Sequence, residues 1–152
     1  QVIRKEVKTG TRVVVADWRC DWIGPGIAEM LVNDGCSVEL AVNGTHPGEL
    51  LPLYVRDNLA AELYKSGVRV TPYARLYGCD SGTVYMQHSV SEQPILYENI
   101  DTLVLCLGHE PVDGLSARLI EQGRDVHIIG DSMAPRTAEE AVYEGLKVGT
   151  AL

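Results

Sequence analysis

Apolar positions fall in blocks that alternate between two periods. Residues 12–16 form a continuous β-branched run, the signature of a parallel strand buried on both faces. Over residues 24–34 the apolar side chains recur at Ile27, Met30 and Leu31 with Ala28 beside them, which is helical spacing with one buried face, and Gly35 supplies a stop. Residues 37–42 give a second strand. Residues 54–66 give a second helix, with Val55, Leu59, Ala60 and Leu63 on one side and Gly67 at its end; residues 68–71 give a third strand. Residues 74–79, 83–88 and 94–98 are short and half polar, and Asp80-Ser81-Gly82 and Ser91-Glu92-Gln93 punctuate them as hairpin turns. Buried strands are expected again at 101–107 and 125–129, with helices at 115–122 and 137–152. Thr137 followed by Glu140 is a capping-box pattern for the last helix.

This order predicts an α/β fold: a Rossmann-like three-layer sandwich with a central parallel sheet, helices on both faces and an antiparallel β-meander as one crossover. In such sheets ligands bind beyond the carboxyl ends of the strands, where strand order reverses. Those ends carry Asp17, Asn43, Gly108 and Asp131.

The first turn sets the question of chemistry. A pyrophosphate needs free backbone N–H groups at a helix N-terminus with no side chain in the way. Gly24 and Gly26 offer close approach there, and Pro25 suits a first helical turn. Yet the loop before them is longer than a GxGxxG turn, and Asp17 and Asp21 bring negative charge to the place of the phosphates. A glycine-capped helix start without a ligand is the alternative. The second strand ends in Asn43, where an NAD reader places Asp or Glu and an NADP reader has Arg nearby; Asn43 could still bond a ribose. Gly130 and Asp131 close the last expected strand, a pattern in which the glycine admits a ligand and the carboxylate binds a ribityl or ribose hydroxyl, or in which Asp131 only caps backbone.

Composition narrows the classes. A chain of 152 residues suffices for a buried core, and 45% apolar content with no Phe is that of a globular protein. The net charge of −8, with no basic stripe, speaks against nucleic acid, and no apolar run suits a membrane span. Four scattered cysteines form no CxxC pair, so no metal site is expected and a reduced, cytoplasmic setting is. The four histidines are dispersed, Ser132 lacks a GxSxG context, and no lysine completes a phospho-receiver pair with Asp17 and Asp21, so no catalytic residue is assigned. The chain starts at Gln1 rather than Met, and residues 1–10 read as a linker, so a piece of a longer protein is expected.

With these pieces in view, the chain resembles the C-terminal region of the trimethylamine dehydrogenase and 2,4-dienoyl-CoA reductase (NADH:flavin oxidoreductase) family, and is most similar to its N-methylproline (stachydrine-type) demethylase-like branch. VVVADWRCDWIGPGIAEML, GCSVELAVNG, LYKSGVRVTPYARLYG, DTLVLCLGHEPVDGL and IIGDSMAPRTAEEAVYEG carry the resemblance in order. It implies an N-terminal barrel with FMN, a 4Fe–4S cluster, and FAD- and NAD(P)-type folds in a full-length protein. It sets residues 11–107 on the inner NAD(P)-type domain and 108–152 on the returning segment of the FAD-type domain, with Gly108 at the junction and Gly130 and Asp131 toward the flavin. The partners implied are the barrel and the FAD half of the same chain; without them residues 108–152 would pack elsewhere or pair with a second copy as a homo-oligomer. Two functions stay open: an oxidoreductase module on which NAD(P) or ADP meets Gly24, Gly26 and Asn43, the substrate being an N-methylated amine or related small molecule, or a structural or docking domain whose acidic loop has replaced the glycine turn.

Overall fold

A computed structural model describes residues 1–152. The chain divides into two compact units, residues 1–108 and 109–152.

The first unit is built on a parallel sheet. Strand β1 (Arg12–Asp17) leads through helix α1 (Ile23–Asn33) to β2 (Ser37–Val42), and helix α2 (Leu53–Ser66) leads on to the short β3 (Arg69–Thr71). A meander of β4 (Ala74–Asp80), β5 (Thr83–His88) and β6 (Pro94–Tyr97) then carries the chain back to β7 (Thr102–Cys106). The sheet order is β3-β2-β1-β7, all pairs parallel, and β4-β5-β6 forms a separate antiparallel sheet. The expected α/β class, central parallel sheet and meander crossover are therefore all present.

Alternation along each strand sorts the core into two faces. Val13 and Val15 of β1, Val38, Leu40 and Val42 of β2, and Val104 and Cys106 of β7 pack with Ile27, Ala28 and Leu31 of α1 and Leu63 of α2. On the opposite face Val14, Ala16 and Ala41 meet Ala74, Val84 and Met86 of the meander, with Leu103 packed against them. Both faces are covered, which is why β1 reads as an unbroken apolar run. The expectation of helices on both faces is corrected: the second layer of this unit is the meander. Small alanines at 16, 41 and 74 let two sheets approach where larger side chains would hold them apart.

Asp101, in the turn before β7, ties the start of the sheet together. Its Oδ2 accepts the backbone N–H groups of Thr11 and Arg12, each at 2.8 Å, and the Thr11 hydroxyl at 3.0 Å. The Arg12 amide and Thr11 hydroxyl hold this carboxyl below its ordinary pKa. Its stabilising effect is thus present at neutral pH and lost as pH falls through the lowered value. Asp101→Asn is expected to lower the thermal midpoint at neutral pH, with the difference from wild type shrinking under strong acid; an unchanged midpoint would show the clasp is idle.

The second unit holds α3 (Ser116–Glu121), a 3-10 turn at Gly130–Ser132 and α4 (Ala138–Gly149). The expected strand at 125–129 is absent; these residues lie outside regular structure. A buried parallel strand takes its backbone bonds from neighbours, and no strand of this chain pairs with these residues. The expected start of α4 holds, since Glu140 Oε2 accepts the Thr137 backbone N–H at 3.0 Å and also takes the Thr137 hydroxyl. No helix in the chain is long and apolar enough to cross a membrane.

Candidate functional site

The switch in strand order lies at β1. The β1–α1–β2 and β2–α2–β3 crossovers run to one side and the meander returns β7 to the other, so the carboxyl ends of β1 and β7 flank the switch. Asp17 and Cys106 are register partners there.

Asp17 points inward and is only 2% exposed. Its Oδ1 accepts the Cys20 backbone N–H at 3.0 Å, while Oδ2 is buried with no protein donor in reach. The carboxylate lies against the first turn of α1: a Cβ added to Gly24 would stand 2.6 Å from the Asp17 carboxyl carbon and 2.6 Å from Oδ2. Packing against Asp17 by itself therefore requires a glycine at position 24. Desolvation pushes the Asp17 pKa up to about 6; the Cys20 amide opposes the rise, Asp21 adds to it, and the Arg19 amide and guanidinium oppose it more weakly. Burial, and then Asp17 and Asp21, push the Cys106 thiol up to about 12, so it stays neutral.

The other donors of this helix end are largely spent. Ile23 N–H donates to Asp21 Oδ1 at 2.9 Å, and Asp21 also pairs with Arg19 at 3.1 Å. Pro25 has no N–H, and Gly26 N–H donates to the Trp22 carbonyl at 3.1 Å. Gly26 is exposed, with open space where a Cβ would stand. At this helix end the buried Asp17 carboxylate lies on the Gly24 side of the first turn.

Asn43 follows β2 and is half buried, and its N–H continues the ladder to the Asp17 carbonyl at 2.9 Å. Beside it Gly44 N–H donates to Cys20 Sγ at 3.2 Å, and Glu49 folds back so that its Oε2 accepts Thr45 N–H at 2.9 Å. Cys20 and Glu49 thus build this rim, although neither stood out in the sequence. Cys20 adopts a left-handed conformation (φ 55°), and Glu49 reaches β2 through a loop fold, features without a sequence period to reveal them.

Gly108 is exposed at the end of the first unit, with open space where a Cβ would stand. Gly130 and Asp131 belong to the second unit. Gly130 has φ 62°, and its N–H donates to Glu144 Oε2 at 2.7 Å, while Asp131 is exposed. That bond, with help from Arg136, lowers the Glu144 pKa. The Gly130 amide is therefore engaged with α4. The structure brings Asp17, Gly24 and the Asn43 backbone together, and describes Gly130 and Asp131 in a separate unit. No cluster of three or more His, Cys, Asp or Glu side chains is placed to hold a metal.

No protein-family model matches the chain. Among solved structures it is similar to histamine dehydrogenase from Rhizobium sp. 4-9 (TM-score 0.84, 22% identity, 95% of this chain and 23% of that one). It is also similar to 6-hydroxypseudooxynicotine amine oxidase from Pseudomonas geniculata N1 (TM-score 0.87, 20% identity, 97% and 23%). A third match is a 2-naphthoyl-CoA reductase (TM-score 0.81, 20% identity, 99% and 22%). The chain spans less than a quarter of the length of these proteins, and the likeness establishes a shared fold over nearly all of its residues.

Proposed function

We propose that this chain is the dinucleotide-fold module of a larger flavin-dependent oxidoreductase acting on an N-methylated amine or related small substrate, and that its own nucleotide turn is closed. The observation that supports the first part is the match of 95% or more of the chain to an amine dehydrogenase, an amine oxidase and a CoA reductase, each about four times its length. Sequence resemblance to the trimethylamine dehydrogenase family points the same way. The flavins, the 4Fe–4S cluster and the substrate pocket would belong to the remainder of that protein. Flavin absorption in the full-length protein, bleached on adding an N-methylated amine, is the expected result; a full-length protein without flavin would sink this part.

The second part rests on Asp17. Its buried carboxylate lies against Gly24 at the start of α1, where its negative charge would oppose a phosphate, and this favours a scaffold over a cofactor site. Calorimetric titration with NADH, NADPH and ADP is expected to show no binding at millimolar ligand. Asp17→Gly removes both bulk and charge and is expected to bring ADP binding into that range. Tight binding of any of the three to the unaltered chain would refute the closed turn.

A further inference from the structure

Residues 18–22 close over the start of α1: Trp18 N–H donates to the Cys106 carbonyl at 3.1 Å, Asp21 Oδ1 accepts Ile23 N–H at 2.9 Å and the Trp22 carbonyl accepts Gly26 N–H at 3.1 Å. The middle of the loop is tied by Cys20: its N–H bonds Asp17 Oδ1 at 3.0 Å, its Sγ accepts Gly44 N–H at 3.2 Å, and its carbonyl accepts Leu50 N–H at 3.2 Å. It does so at φ 55°, a conformation that a non-glycine side chain adopts at a cost, so the ties hold the loop against local backbone preference. At the centre is Asp17, with one oxygen satisfied and the other buried without a donor. A neutral acid tolerates that position; an ionised one leaves uncompensated charge out of water.

We propose that Asp17 is a proton-operated latch: protonated, it keeps residues 18–22 closed on the α1 N-terminus, and ionised, it releases them, changing the presentation of Trp18 and Trp22. The charged and titratable groups around it set the balance. Burial and then Asp21 on the same loop oppose ionisation; the Cys20 amide and, more weakly, Arg19 favour it. Cys106 on β7 stays neutral. In the 43–52 loop Glu49 acts on Cys20, whose thiol is raised by burial. Burial places the Asp17 transition near pH 6. His46 lies in the same loop and serves as the control. The latch concerns this chain alone and does not rest on the oxidoreductase reading.

The chain provides its own reporter, because its two tryptophans are both in this loop. They are 48% and 65% exposed, so the useful signal is quencher access rather than intensity, which a nearby charge alone can alter. Since both rings are already about half exposed, acrylamide quenching is expected to rise by up to about twofold in a single transition as pH is raised from about 5 to about 8. Asp17→Asn should keep the low-quenching state throughout, and His46→Asn should leave the transition in place. Hydrogen exchange of the unaltered chain gives a readout independent of the variants folding. Protection of the Cys20 amide, relative to the β1 amides, should fall across the same range. Quenching that is flat with pH, a transition that survives Asp17→Asn or vanishes in His46→Asn, or constant relative protection of Cys20 would each overturn the latch.

Discussion

Asp17→Asn is expected to gain stability over the unaltered chain as pH rises, the difference between the two growing by about 2 kcal/mol from about pH 4 to about pH 8 if the loop stays closed. The folded-state pKa of Asp17 is raised from 3.8 to about 6. The folded chain therefore holds a proton that the unfolded chain has already released. That preference stabilises the fold fully below the unfolded value and is lost as pH climbs through the folded one. Asp101, Glu140 and Glu144, whose pKa values are lowered, push the other way and are common to both proteins, so the difference isolates Asp17. Urea unfolding at stepped pH measures it. Growth well short of the full value measures the relief obtained by opening residues 18–22, and no growth at all would show that the carboxyl is not desolvated.

Two glycines one residue apart are expected to respond to alanine with opposite signs. Gly24→Ala drives a methyl to 2.6 Å from the Asp17 carboxyl group, and both partners are buried, so it should cost about 1–3 kcal/mol. Gly26→Ala meets open space on an exposed helical surface and should gain about 0.5–1 kcal/mol by reducing the freedom of the unfolded chain. Denaturant midpoints at fixed pH decide both. The loss at 24 should be largely recovered when Asp17 is shortened to Ala, and the double-mutant cycle then reports the contact directly. Equal responses at the two positions would mean that Asp17 does not fill the turn. Under a dinucleotide reading, both glycines would instead be kept for ligand access.

The scaffold was legible because period and side-chain branching are local properties. Strands at 12–17, 37–42 and 102–106, helices at 23–33 and 53–66 and the three meander strands follow from residues that carry their own signal. The segment 125–129 misled for the complementary reason. Asp-Val-His-Ile-Ile has the composition of a buried strand, but a strand is made by its neighbours, and none in this chain pairs with it. At the site, sequence marked Asp17 as charge opposed to phosphate. It did not reveal that the carboxylate lies buried against Gly24, since that depends on the rotamer and on the loop that Cys20 turns back. Glu49 and Cys20 escaped notice because loop closure, not spacing, brings them to the rim of β2.

The meander has a consequence for the order of assembly. β1 pairs with β2 across one short crossover, but its other partner, β7, is joined by contacts 89 residues apart in sequence, as between Arg12 and Asp101. On a ribosome, β1 to β3 with their helices can form while β7 is still unmade, leaving one flank of β1 uncovered. Asp17 then lacks its cover on the β7 side, and its enclosure by Gly24 and Cys20 is completed when Cys106 docks beside it. Proton uptake should accompany that late long-range closure, and the final folding phase should quicken as the medium is acidified.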